Sequence, residues 1–137
     1  MAIERQLVDT NVLARFFTGE PPGMALKARH LVERADNGGV VLVVFPVIVA
    51  ELVYTLESFY GMPRKEVATS LLSFLQSRGI EAVEAARVAD ALTRCRDRNA
   101  HFADAYLAAS AVELDNPIAS FDRDFDKFKD VRRLEPR

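Results

Sequence analysis

The segment Val40-Val41-Leu42-Val43-Val44-Phe45-Pro46-Val47-Ile48-Val49-Ala50-Glu51-Leu52-Val53 decides the fold. Its first six residues are an unbroken apolar run rich in β-branched side chains, the composition of a strand buried on both faces. Pro46 suits the first position of a helix, and the apolar pattern carries that helix to about Phe59. A buried strand that feeds directly into a helix is the building unit of a parallel sheet.

The same alternation continues on either side. Leu7-Val8 form a short first strand that leads into Asp9. Met24, Ala28, Leu31, Val32 and Ala35 recur at helical spacing and give a first helix, which Gly38-Gly39 end. Downstream, Gly61 breaks the helix begun at Pro46, and Pro63 opens another that reaches about Ser77. A short strand is expected over 80–83, helices over 85–96 and 102–114, and strands over 118–121 and 131–134. No repeat, low-complexity tract or linker interrupts this pattern, so residues 1–137 read as one domain. The expected class is α/β, a three-layer sandwich whose central, mostly parallel sheet carries helices on both faces.

Composition narrows the function classes. No apolar run reaches the ~20 residues that span a bilayer. Met1-Ala2-Ile3-Glu4-Arg5 does not open a signal peptide, so a cytoplasmic protein without a membrane partner is expected. One cysteine, Cys95, excludes an internal disulfide framework, and with only His30 and His101 beside it a Cys/His zinc site is excluded too. The net charge of −2 argues against a nucleic-acid binder until its distribution is considered. Setting aside four acids singled out below leaves 16 against 18 basic residues, of which 14 are arginine, the side chain best shaped for phosphate.

Those acids are Asp9, Glu51, Asp104 and Asp122. Ligands of parallel α/β sheets gather at the carboxyl ends of strands. Asp9 and Asp122 follow strands, Glu51 lies in the helix after the central strand, and Asp104 lies near a helix start. Each has a plain structural alternative. Asp9 can cap a helix, although Thr10 and Asn11 are equally able to cap or to hold its rotamer. Glu51 shares a helical face with Val47 and Thr55 and is either on a wet stripe or buried with a partner. Asp104 interrupts a helix that is apolar nearly all round and expected to be central, where a salt bridge to an arginine is the serious alternative. Asp122 opens Asp122-Arg123-Asp124-Phe125-Asp126-Lys127-Phe128. A calcium loop fails there, because Lys127 and Arg133 stand where glycine and glutamate are needed. Phe121, Phe125 and Phe128 have helical spacing and read as core, while Ser120 is placed to orient Asp122.

Val8-Asp9-Thr10-Asn11-Val12, Ala50-Glu51-Leu52, Phe102-Ala103-Asp104-Ala105 and Ala119-Ser120-Phe121-Asp122-Arg123-Asp124-Phe125 resemble, in order and spacing, the acidic motifs of PIN-domain nucleases. The likeness is closest to the VapC-type toxins of toxin–antitoxin modules and covers essentially the whole chain. It implies Asp9, Glu51, Asp104 and Asp122 as metal-site acids, with Asp124 a secondary member, and RNA cleavage that leaves a 5′-phosphate and a 3′-hydroxyl. It also implies a small antitoxin over the active-site groove and a homodimer. The apolar excess of the helices over 47–59 and 67–75 is expected to supply that partner surface.

A donor set of carboxylates alone favours Mg²⁺ or Mn²⁺, which makes a nucleophile from water without a histidine base. Asp9 and Asp104 are the first choice as direct ligands, with Glu51 and Asp122 direct or through water, and Thr10, Asn11, Ser120 and Asp124 in support. Arg94, Arg96 and Arg98 before Asp104, and Arg123, Lys127 and Lys129 after Asp122, are candidates for flanking RNA phosphates. His101 reads as a helix-start residue and His30 as part of a helix. A haloacid-dehalogenase-like phosphatase needs a second aspartate where Asn11 stands, and a phosphoacceptor receiver needs a lysine near a late strand end, whereas the only late lysines, Lys127 and Lys129, lie beyond Asp122. A non-catalytic interaction module of the same fold is the alternative from another class.

Overall fold

The computed structural model describes residues 2–137. Among them are strands β1 (Arg5–Leu7), β2 (Val41–Val44), β3 (Ile80–Ala82), β4 (Ile118–Ala119) and β5 (Arg133–Leu134). The helices are α1 (Thr10–Thr18), α2 (Pro22–Asp36), α3 (Pro46–Tyr54), α4 (Arg64–Leu75), α5 (Ala85–Arg98) and α6 (Phe102–Leu114). α3 runs on into a wide π turn over Thr55–Phe59, and a 3-10 turn covers Arg123–Lys127.

β1, β2 and β3 pair side by side in that order, every pair parallel, with Leu7 opposite Val43 and Val43 opposite Glu81. β4 and β5 form a second parallel ladder of two strands. This is the mixed α/β architecture with a parallel sheet that the alternating pattern implies. Leu42, Val43 and Val44 are all buried. Consecutive strand residues face opposite sides, so β2 is covered on both faces, as its unbroken apolar run requires. The main core gathers Leu13, Val44, Leu52, Leu71, Leu92, Phe102 and Phe125 from the helices, β2 and the 3-10 turn.

Several expectations need correction. The helix over Met24–Ala35 is the second, because Thr10–Thr18 already forms α1. Leu13, Phe16 and Phe17 lie on its inner side, packed into the core. Phe121 is 72% exposed, whereas Phe125 and Phe128 are core. Ile118–Ala119 ends as a strand before Phe121, which breaks the helical phase assumed for the three rings. α6 is not covered all round: Leu107, Val112 and Leu114 face solvent while Ala105, Ala108 and Ala109 are buried. α4 turns its large apolar residues inward and exposes none of them, so it offers no apolar outer face.

The turn from α4 into β3 depends on Gly79. Its φ is +78°, and a Cβ there would sit 2.2 Å from the Ala35 carbonyl oxygen at the end of α2. Its own carbonyl accepts from the Leu42 amide 2.8 Å away, so neither backbone can retreat without breaking the β2–β3 edge. Gly79→Ala is expected to lower stability by about 3 kcal/mol, combining left-handed strain with overpacking. An unchanged urea midpoint would contradict this packing.

Candidate active site

The carboxyl ends of β1 and β2 leave the sheet at one edge because the two strands are parallel. Val8 extends β1 by donating to the Val43 carbonyl (3.1 Å), and Asp9 follows at the N-cap of α1. Its side chain makes no capping hydrogen bond and is exposed. The plain capping alternative therefore accounts for its position but leaves its carboxylate unused. Thr10 and Asn11 do not hydrogen-bond Asp9. The Thr10 hydroxyl is buried, at 3% residue exposure, and finds no partner of its own.

β2 passes through Phe45 into α3, and Glu51 falls in the second turn of that helix. Glu51 is exposed beside Val47 and Tyr54, which settles its two alternatives in favour of the wet face. α3 packs against both α1 and α6. Asp104 stands half-buried in the first turn of α6, where the helix N-terminus favours negative charge. The arginine partner considered for it is not there: Asp104 makes no salt bridge among the described residues.

Asp122 lies just past β4, at the N-cap of the 3-10 turn. Its Oδ1 accepts from the Asp124 amide (2.8 Å), and its own amide donates to Ser120 Oγ (2.9 Å). Ser120 thus fixes the backbone of Asp122, as an orienter would, and Asp124 is exposed beside it. Arg133 braces the loop by donating to Asp126 (2.9 Å) and to the Ser120 carbonyl (3.2 Å).

Charge pairing separates these acids from many of the others. Glu57, Glu81, Glu84, Asp90, Asp97, Glu113, Asp126, Asp130 and Glu135 all form salt bridges. Asp9, Glu51, Asp104 and Asp122 form none among the described residues. The oxygen-only donor set fits a hard divalent cation, and the unpartnered Thr10 hydroxyl beside Asp9 is a further free oxygen. As placed, no three acidic, His or Cys side chains among the described residues are gathered closely enough to enclose an ion together. Asp9 stands at the N-cap of α1, Glu51 lies on α3 and Asp104 on α6, and α3 packs on both other helices. For Asp122 the link is through β4, which packs on α6.

The sequence matches the PIN domain family over residues 7–131. The chain is a PIN-domain protein. PIN domains are generally metal-dependent nucleases, and the phosphatase and receiver alternatives fall with that assignment. No curated protein matches the chain. No helix among the described residues of this PIN domain is long and apolar enough to cross a membrane.

The basic candidates divide. Arg94 is 11% exposed and grips Asp130 (2.6 and 2.8 Å) and Asp90 (3.0 Å), so it is a brace between α5 and the Asp130 segment. Arg96 is held by its neighbour Asp97. Lys127 reaches the Asn99 carbonyl (3.4 Å) at the turn before α6. Arg98, Arg123 and Lys129 are exposed and make no salt bridge among the described residues. A feature the sequence did not point to is Arg64, which ties Glu57, Asn99 and His101 into one cluster at the start of α6. Its three partners lie 7 to 37 residues away along the chain, and no local pattern records such a contact.

The Arg94 guanidinium, by hydrogen bonding first, holds the Asp130 carboxyl below its ordinary 3.8. A lowered folded-state value means the stabilisation is complete above the unfolded-state value and is lost as pH falls through the folded one. Arg94→Met should therefore be less stable than wild type at pH 7, with the gap narrowing below about pH 4. Urea unfolding of both proteins at pH 7 and pH 3 tests this, and a gap that stays constant contradicts it.

Proposed function

We propose that this PIN domain is a metal-dependent endoribonuclease, the toxin of a toxin–antitoxin module, with Asp9, Glu51, Asp104 and Asp122 as its metal-site acids. The observation that carries the reading is their placement: four carboxylates just past parallel strands or on helices that pack on one another, none in a salt bridge among the described residues. Asp9 and Asp104 would hold Mg²⁺ or Mn²⁺ directly, with Glu51 and Asp122 completing the site directly or through water. When bound, such an ion supplies a nucleophile from water and neutralises charge on the scissile phosphate.

The chain's own groups do the rest. Ser120 and the Asp124 amide hold Asp122 in one orientation. Arg98, Arg123, Lys127 and Lys129 are the cations left to hold flanking phosphates, which they can do without reading sequence. The partner reading rests on an apolar groove of about 580 Å³ lined by Phe45, Val47, Tyr106 and Leu107, between the start of α3 and α6. Val47 is 69% exposed, and Phe59 beyond the π turn 80%. Surfaces of this kind mark protein contacts, here an antitoxin over the groove and a second copy of the chain. A non-catalytic PIN-fold interaction module is the competing reading.

Purified protein should cut RNA with Mg²⁺ or Mn²⁺, leave 5′-phosphates, and stop with a chelator. Asp104→Asn should reduce cleavage on the order of a hundredfold or more. It should not lower the melting temperature in chelator, because it strands no arginine. Full activity in chelator would contradict metal dependence and point to His30 and His101. Expression without a partner should arrest growth, and unaffected growth would remove the toxin role.

A further inference from the structure

A second cavity opens beside the proposed metal-site acids. It measures about 250 Å³ and is lined by Ala50, Tyr54, Glu57, Ser58, Arg64 and His101, among others. Ala50 precedes Glu51, and Ala103, also in its wall, precedes Asp104. The cavity is smaller than the ~300 Å³ lower bound of drug-sized pockets, and suits a group the size of one planar ring system.

Its chemistry is specific. Arg64 donates from Nε to Glu57 Oε1 (2.8 Å) and from one terminal nitrogen to His101 Nδ1 (3.0 Å). A guanidinium only donates, so His101 Nδ1 accepts and the ring carries its proton on Nε2. The other terminal nitrogen donates to the Asn99 carbonyl (2.9 Å) and side-chain oxygen (3.2 Å). One arginine therefore locks the walls while leaving Glu57 Oε2 as a free acceptor and His101 Nε2–H as a free donor. Glu57 and Ser58 lie in the π turn after α3, a distortion that recurs at functional sites. Tyr54 is 71% exposed at the rim, and its ring stacks on no other aromatic. A free aromatic face, an acceptor-only carboxylate and an N–H donor together are what a splayed RNA base requires.

We propose that this cavity is a subsite for one unpaired RNA base. The base stacks on Tyr54 and donates an N–H to Glu57, from the exocyclic amino group of cytosine, adenine or guanine or from N3 of uracil, while a ring nitrogen or carbonyl oxygen accepts from His101. The proposal rests on the nuclease reading and gives that site a base contact next to the cut.

The four nucleoside 5′-monophosphates, titrated into ¹⁵N-labelled protein in chelator, test it without cleavage. Each of the four is expected to shift the Tyr54, Glu57, Ser58 and His101 amides saturably. Tyr54→Ala should weaken binding by about tenfold and Tyr54→Phe should restore it, since the ring provides the stacking. A single-stranded RNA hexamer should bind the same amides more tightly than any monophosphate, which separates a strand from a free nucleotide. No saturable shift at these amides, indifference to Tyr54→Ala, or a hexamer no tighter than a monophosphate overturns the proposal. Cleavage of RNA by the same preparation with Mg²⁺ reports the nuclease reading separately: cleavage without base binding removes only the subsite, and base binding without cleavage removes only the nuclease.

Discussion

Parallel pairing makes neighbouring strands of a ladder end at the same edge, and the placement of the acids depends on this constraint. Because β1 and β2 run side by side in one direction, Asp9 and the start of α3 emerge together. The return path of each parallel strand must then be a helix or long crossover. α3 begins such a path, from β2 towards β3, and α6, which carries Asp104, packs on it. Gly79 belongs to this constraint as well, since it allows α2 and β3 to approach closely enough for β2 to stay central.

Electrostatics adds a second ordering. Arg64, Arg87, Arg94 and Arg133 each satisfy more than one acceptor and knit elements together. Cys95, buried under the Glu57–Arg64 pair's field, has its thiol pushed up to about 12, chiefly by burial, and takes no part in the chemistry. Asp9, Glu51, Asp104 and Asp122 are among the acids that no arginine neutralises, which leaves their carboxylates available to a cation.

Long, strongly patterned elements were legible in the sequence. The helix over 102–114 and the buried strand within 40–45 are both present, because period and composition agree there with tertiary burial. α1 is a weaker signal: Asp9 offers a cap and Leu13, Phe16 and Phe17 carry a helical spacing, but the nine residues before Gly19 are too few for the apolar period to stand out. The solvent exposure of Phe121 was hidden because β4 ends two residues before it, which changes the phase of its ring relative to Phe125 and Phe128. The acids were legible as a set because charges in apolar runs need an explanation. The role of Arg94 as a brace was not, because a salt bridge to Asp130 spans 36 residues of chain. The Tyr54–Glu57–His101 cavity is likewise a product of folding alone, drawn from elements that share no sequence motif.

The most direct test of the account is where a single hard cation binds. Mn²⁺ added at low ratio to ¹⁵N-labelled protein broadens the resonances of amides close to it. The account predicts simultaneous broadening at Asp9, Glu51, Asp104 and Asp122, lost in Asp104→Asn and displaced by excess Mg²⁺. Broadening scattered over the surface acids, or confined to one of the four, would contradict the claim that these carboxylates form one metal site.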